Sequence, residues 1–227
     1  MLGLGEFCRR PVAWQLAFVL ESSAGLSHSE FGRQGFAGRF LQHVFRVMHN
    51  IGEELVGSYL QVIKGCDFVH YNYYTPDVQG EIDVIGLDMR RKIIYVCEVA
   101  IHLITGLQYV KAAQPDNVNR LISKFQKDID FAFKYFADYT KVFMLWSPIV
   151  KLARTGSKHC QHRDVQTIKE TLKQSRDIDL QLIVNEKFKE CLDELKIYAA
   201  METKELKSPV LRLLQIDAKL ARHLTKT

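Results

Sequence analysis

Between Phe68 and Ala100 three short runs rich in β-branched and aromatic residues follow one another with only turn-length breaks between them. The first, Phe68–Tyr74, is ended by Thr75-Pro76-Asp77. The second, Glu81–Leu87, is separated from the third, Lys92–Ala100, by the polar turn Asp88-Met89-Arg90-Arg91. Runs of this composition predict strands, and the short break between the last two predicts a hairpin. The pattern then changes period. Asp116 or Asn117 can cap a helix in which Val118, Leu121, Ile122, Phe125, Ile129, Ala132 and Phe136 recur at i, i+3, i+4 spacing. Lys141–Trp146 returns to a strand pattern and stops at Ser147-Pro148. A hairpin followed by a strand–helix–strand unit is hard to reconcile with a pure meander or an all-helical bundle. It predicts an α/β fold, a mixed sheet with helices on its faces.

The rest of the chain extends that plan. Leu55, Tyr59, Leu60 and Ile63 predict a helix over 51–64 that ends at Gly65. A helix is expected over Thr167–Gln174, a strand over Asp179–Val184, and a helix from an Asn185 cap to about Ala200. Ser208-Pro209 reads as an N-cap with proline at the first helical position, and Leu211, Leu214, Ile216 and Leu220 predict a final amphipathic helix. No glycine-rich phosphate turn follows the first strand, which argues against a dinucleotide-binding fold. The core is expected over 48–184, with a C-terminal helical extension over 185–227. Residues 1–47 show no comparable pattern and are expected to be an appendage, poorly ordered or not native, since the readable pattern starts at Met48. Within them, Arg9-Arg10, the run Pro11–Leu20 and Ser22-Ser23-Ala24 loosely resemble a secretory signal, but the apolar run is short and Gln15 interrupts it.

Composition narrows the function classes. No stretch approaches the roughly 18 apolar residues of a membrane span, so no membrane role is expected. The five cysteines are scattered and form no CxxC pair, which argues against a disulfide framework or a four-cysteine zinc site and for a reducing cytoplasm. His159-Cys160-Gln161-His162 has no partner pair at a familiar zinc spacing. Net charge is +5, and the segment Lys151–Arg176 carries seven Lys/Arg against Asp164 and Glu170, a local +5. A polyanion could bind there through Lys151, Arg154, Lys158 and Arg163; a solvated loop and helix face is the plainer reading.

Two acids stand inside the apolar strands, in Ile82-Asp83-Val84-Ile85 and Tyr95-Val96-Cys97-Glu98-Val99. An unpaired carboxylate there costs several kcal/mol. A divalent cation is one compensation, and an Arg or Lys partner is another. Mg²⁺ takes oxygen ligands, and one or two such ions can activate water and absorb developing charge in phosphodiester hydrolysis.

Four segments in order carry a resemblance: Gly52-Glu53-Glu54-Leu55-Val56-Gly57-Ser58-Tyr59-Leu60, Tyr71-Asn72-Tyr73-Tyr74-Thr75, Gly80-Glu81-Ile82-Asp83-Val84-Ile85 and Ile94-Tyr95-Val96-Cys97-Glu98-Val99. Together they resemble the YraN-like family of predicted endonucleases within the PD-(D/E)XK nuclease superfamily. The resemblance implies a restriction-endonuclease-like core, DNA as partner and Mg²⁺ or Mn²⁺ as cofactor. It further implies ligation of the metal by Asp83 and Glu98, support from the helix residue Glu53, and a catalytic lysine two residues after Glu98. Ala100 stands at that position. Strand alternation puts His102 on the same face as Glu98, and Lys124 or Lys127 of the following helix could reach across, so these are the expected substitutes. The expected activity is that of a Mg²⁺-dependent endodeoxyribonuclease. The alternative set by Ala100 is an inactive nuclease-like domain that binds nucleic acid or protein. A third reading is an interaction module that forms a homodimer through the helices after Asn185.

Overall fold

The computed structural model describes residues 50–75, 80–153 and 159–225, all within the unit His49–Thr227. Residues 1–47, Arg154 and Lys158, which carry some of the expectations above, lie outside the described residues. The chain opens with α1 (Ile51–Val62), then β1 (Phe68–Tyr74), β2 (Glu81–Asp88) and β3 (Ile93–Val99). A two-residue hairpin, β4 (Val110–Lys111) and β5 (Gln114–Pro115), precedes α2 (Asn117–Tyr135) and β6 (Thr140–Ser147). After these come α3 (Gln161–Arg176), β7 (Gln181–Val184), α4 (Glu186–Met201) and α5 (Pro209–Leu224).

The sheet order is β1-β2-β3-β6-β7. The first three strands are antiparallel neighbours, whereas β3–β6 and β6–β7 are parallel, joined through α2 and α3. The expected hairpin and mixed α/β layer are therefore present. Period-2 alternation sorts the strand residues between two cores. Ile94, Val96, Phe143 and Leu145 face Leu121 and Phe125 of α2 and Ile168 and Leu172 of α3. Cys97, Val99, Met144 and Trp146 face the other way, onto Val56 and Leu60 of α1, Phe188 and Leu195 of α4, and Leu211 of α5. The C-terminal helices thus complete the second face of the sheet. Close approach of α1 to β1 depends on Gly57, where a Cβ would fall 2.2 Å from the Tyr71 hydroxyl.

Several local readings differ from what the fold adopts, among them the expected cap of α2: Asp116 makes no side-chain cap bond, and Asn117 Oδ1 accepts instead from the Tyr109 N–H at 2.7 Å. α3 begins at Gln161, well before the expected start, because its buried stripe is only Val165, Ile168 and Leu172 and its first turn is polar. Asn185 does not cap α4 with its side chain. Its amide instead accepts from the Val150 N–H at 2.8 Å and donates to the Val150 carbonyl at 3.0 Å, tying the end of β7 to the segment after β6. The β4–β5 hairpin turns at Ala112 and Ala113, both at positive φ, where no Asn-Gly or Asp-Gly signal marks it. Among the described residues no helix is long and apolar enough to cross a membrane.

Candidate active site

Asp83 and Glu98 meet at the ends of two central strands. The last rung of the β2–β3 ladder is Val84 opposite Cys97. One step further in the same register would set Asp83 opposite Glu98, with both side chains on the α2 face. The ladder stops there, and Asp83 Oδ2 accepts the Val99 N–H at 2.7 Å instead. The matching rung on the other side of β2, Asn72 with Asp83, is also missing, and Asn72 sits at φ 48°. The backbone is therefore distorted around Asp83 on both sides.

Lys124 reaches this pair from the second turn of α2. Its ammonium lies 3.4 Å from Asp83 Oδ1 and forms an ion pair with Glu98 Oε2. The setting is dry: the Glu98 side chain is 1% exposed, against 14% for Asp83 and 30% for Lys124. Ala100, where the resemblance implies a lysine, is buried in the core of the α2 face, and its N–H donates to the Trp146 carbonyl. The positive charge expected from the strand comes from the helix.

A third carboxyl completes the group. Asp128, one helical turn after Lys124, is buried and lies against Glu98. Glu98 Oε1 and Asp128 Oδ2 find no donor among the described residues, so an ionised pair would face carboxylate to carboxylate. Fully ionised, three acids and one ammonium would leave a net charge of −2 in a buried place, which is costly. Protonation relieves it. Burial pushes Glu98 well above the ordinary carboxylate range, with the Asp83 charge adding to the rise and Lys124 opposing it. Burial likewise pushes Asp128 up to about 7, opposed by Glu98 and Lys124. For Lys124, burial favours the neutral amine, but the charges of Glu98 and Asp83 outweigh it and hold the group above its ordinary value.

Glu53 stands in the first turn of α1, fixed from two sides. Asn50 caps the helix by accepting the Gly52 N–H at 2.9 Å, and its own N–H donates to Glu53 Oε2 at 3.3 Å. Asn72 Nδ2 donates to the same oxygen at 3.0 Å. Burial raises the Glu53 pKa, the Asn72 and Asn50 hydrogen bonds oppose it, and the charge of Asp83 adds a smaller rise, which places Glu53 within electrostatic reach of the acid pair. The left-handed turn at Asn72 therefore serves both strand β1 and the Glu53 carboxylate.

The other expected residues lie further out. His102 is exposed and packs edge-on against Tyr109, ring centroids 5.9 Å apart. Tyr109 in turn borders the cluster. Burial raises its pKa, and the charges of Lys124, Glu98 and Asp83 all act on it; Arg120 lies 5.0 Å over its ring. Lys127 approaches Gly80, where a Cβ would meet its Cδ at 3.5 Å. Lys151 and His159 line a cleft of about 400 Å³ with Gln108, Asn117, Gln161 and Asp164. Of the basic segment, Lys169, Lys173 and Arg176 pair with Asp179, Asp177 and Asp130.

Asp128 and Asn72 are the members of the site that sequence reasoning missed. Asp128 carried a signal, since it lies at i+4 from Lys124 within the apolar frame of Phe125, Ile129 and Ala132. Asn72 carried one as a polar residue inside the aromatic run Tyr71-Asn72-Tyr73-Tyr74. The chain matches no protein-family model, no curated protein and no solved structure.

Proposed function

We propose that this chain is a metal-dependent nuclease that hydrolyses DNA phosphodiester bonds on a PD-(D/E)XK-type core. The observation that carries the reading is the meeting of Asp83, Glu98 and a helix-borne Lys124 ammonium beside a core-filling Ala100. The mixed five-stranded sheet, with its antiparallel hairpin and two parallel crossovers, agrees with the restriction-endonuclease-like core that the four segments imply. Free, buried Cys66, Cys97 and Cys191 suit a reducing cytoplasm.

The donor set fits a hard divalent cation. Among the described residues no three His, Cys, Asp or Glu side chains form a ready-made cage, but Mg²⁺ commonly uses only one or two carboxylates plus water and substrate phosphate. Asp83 and Glu98 are the residues that would hold Mg²⁺ or Mn²⁺, and Glu98 Oε1 is a buried oxygen without a donor. When bound, the ion would acidify water and neutralise charge on the phosphate. The protein's own groups supply the rest. Lys124 places a fixed positive charge where negative charge builds on the phosphate, and Asp83 holds the Val99 N–H so that the strand end keeps its shape. Glu53, braced by Asn72 and Asn50, orients water at the open side of the acid pair. Tyr109 and Arg120 form the rim, and His102 extends it.

A nicking assay on plasmid and branched DNA with Mn²⁺, comparing the wild type with Asp83→Ala, tests the reading. Cutting by the wild type and none by the variant is expected. A wild type that binds Mn²⁺ by calorimetry yet leaves DNA intact would favour the inactive nuclease-like domain, the reading that Ala100 supports.

DNA affinity should come mainly from phosphate contacts with little sequence preference. Lys151, Arg154, Lys158 and Arg163 are the proposed contacts, since the later cations of the segment already pair with acids. Lys158→Ala with Arg163→Ala should weaken binding to all sequences. It should also flatten the plot of log K against log salt by about one unit for each phosphate no longer neutralised. An unchanged slope places the DNA elsewhere.

A further inference from the structure

We propose that a second copy of this chain docks along the outer face of α5, the two helices running parallel. This does not depend on the nuclease reading. α5 is apolar on two opposite sides. Leu211 is buried and Leu214 partly buried against the body of the protein. Leu213, Ile216, Leu220 and Leu224 point the other way and are 61%, 54%, 53% and 62% exposed among the described residues. At about 100° per residue they share one narrow stripe.

The burial pattern shows why this face needs cover. After Gln215 no residue of α5 is buried, and the last turn is exposed all round. The last two turns stay tied to α4 through the Ala200 carbonyl, which accepts from Lys219 Nζ at 3.4 Å and Arg222 Nη2 at 2.6 Å, so it is the apolar outer side that lacks cover. Surface helices normally turn apolar residues inward and polar residues outward. Here the outward side is the leucine-rich one.

The spacing identifies the occupant. Leu213, Ile216 and Leu220 stand at i, i+3 and i+7, the a–d–a spacing of a two-helix seam rather than the broad stripe of a helix lying on a core. In that frame Arg212 falls at g and Asp217 at e. In a parallel pair a g residue faces the e residue five positions on in the partner, so Arg212 of each copy meets Asp217 of the other, twice by symmetry. An antiparallel pair would set each flank against itself and lose both ion pairs. Arg212 now pairs with Glu205, whose side chain is 84% exposed, and such a surface pair exchanges at little cost. The complementarity is with the chain's own sequence, and an isologous contact of this kind closes on two copies.

Sedimentation equilibrium of the full chain over a range of concentrations tests the proposal. A reversible dimer is expected. Leu220→Glu should be monomeric at every concentration and keep the circular-dichroism spectrum of the folded chain, because the site is exposed, while losing the concentration dependence of the melt that a dimer confers. Asp217→Arg sets like charges together and should weaken association by roughly tenfold or more, and adding Arg212→Asp should restore it. A wild type that stays monomeric overturns the proposal and leaves the stripe to another segment or a different partner. A dimer indifferent to Leu220→Glu overturns it as well. Dimerisation abolished by Leu220→Glu but unchanged by the charge reversals overturns the parallel arrangement.

Discussion

Lys124→Ala is expected to lower the rate of Mn²⁺-dependent DNA cutting on the order of 100-fold, the usual loss when one charge partner of a transition state is removed. The reason is positional. Lys124 is the cation that contacts both Asp83 and Glu98, and it does so from a helix. Lys124→Arg should restore little, because a planar guanidinium cannot occupy a place shaped for a compact ammonium. Ala100→Lys in the wild type should give no gain. Ala100 is part of a packed core, and a lysine there would add an ammonium and three side-chain carbons to a filled space. Single-turnover cutting rates, read beside a circular-dichroism melt, separate impaired chemistry from impaired folding. Full activity in folded Lys124→Ala would remove the lysine from the reaction.

The second large effect concerns stability and pH. A carboxyl whose pKa is raised by folding binds its proton more tightly in the native state. Between the unfolded value, about 4, and the native value, the native state holds more protons than the unfolded chain, so stability falls as pH rises. Asp128, pushed up to about 7 by burial, places this window between about pH 4 and 7. Glu98, raised well above the ordinary carboxylate range by burial, acts with the same sign. Asp128→Asn removes one buried acid and lets an amide N–H donate to the Glu98 carboxylate. At pH 8 the variant should be more stable than the wild type by about 2–4 kcal/mol, or roughly 5–10 °C in melting temperature. At pH 4 the two should nearly coincide. Mn²⁺ should raise the wild-type melting temperature more at pH 8 than at pH 5, since protons already neutralise the acids at the lower pH. Urea titrations across this range measure the effect, and a wild-type stability that is flat or rising from pH 5 to 8 would show that the three acids are not buried together.

Much of the architecture was legible in the chain because strand and helix periods are local. The runs at 68–74, 81–87 and 141–146 needed only alternation and their turn residues to be read, and the helix after Asn117 needed only its i, i+3, i+4 stripe. Asp83 and Glu98 stood out because acids are costly among β-branched neighbours. Where local signals were weak, the reading failed. α3 buries too few residues to mark its start, and two alanines turn the β4–β5 hairpin without the residues that usually announce it.

The sequence by itself determined the mixed α/β layer, the acid pair, and the absence of a lysine at position 100. It favoured Lys124 and Lys127 of the helix over His102 as substitutes, and helix reach could not separate the two lysines. Only the tertiary structure decided which of them meets the acids. The parallel crossover from β3 through α2 to β6 lays the second turn of α2 over the end of β3, which brings Lys124 onto both acids and leaves His102 on Tyr109. The same placement buries Asp128 against Glu98. These two acids are far apart in the chain and meet through the packing of a helix on a sheet, a separation over which hydrophobic period carries no information.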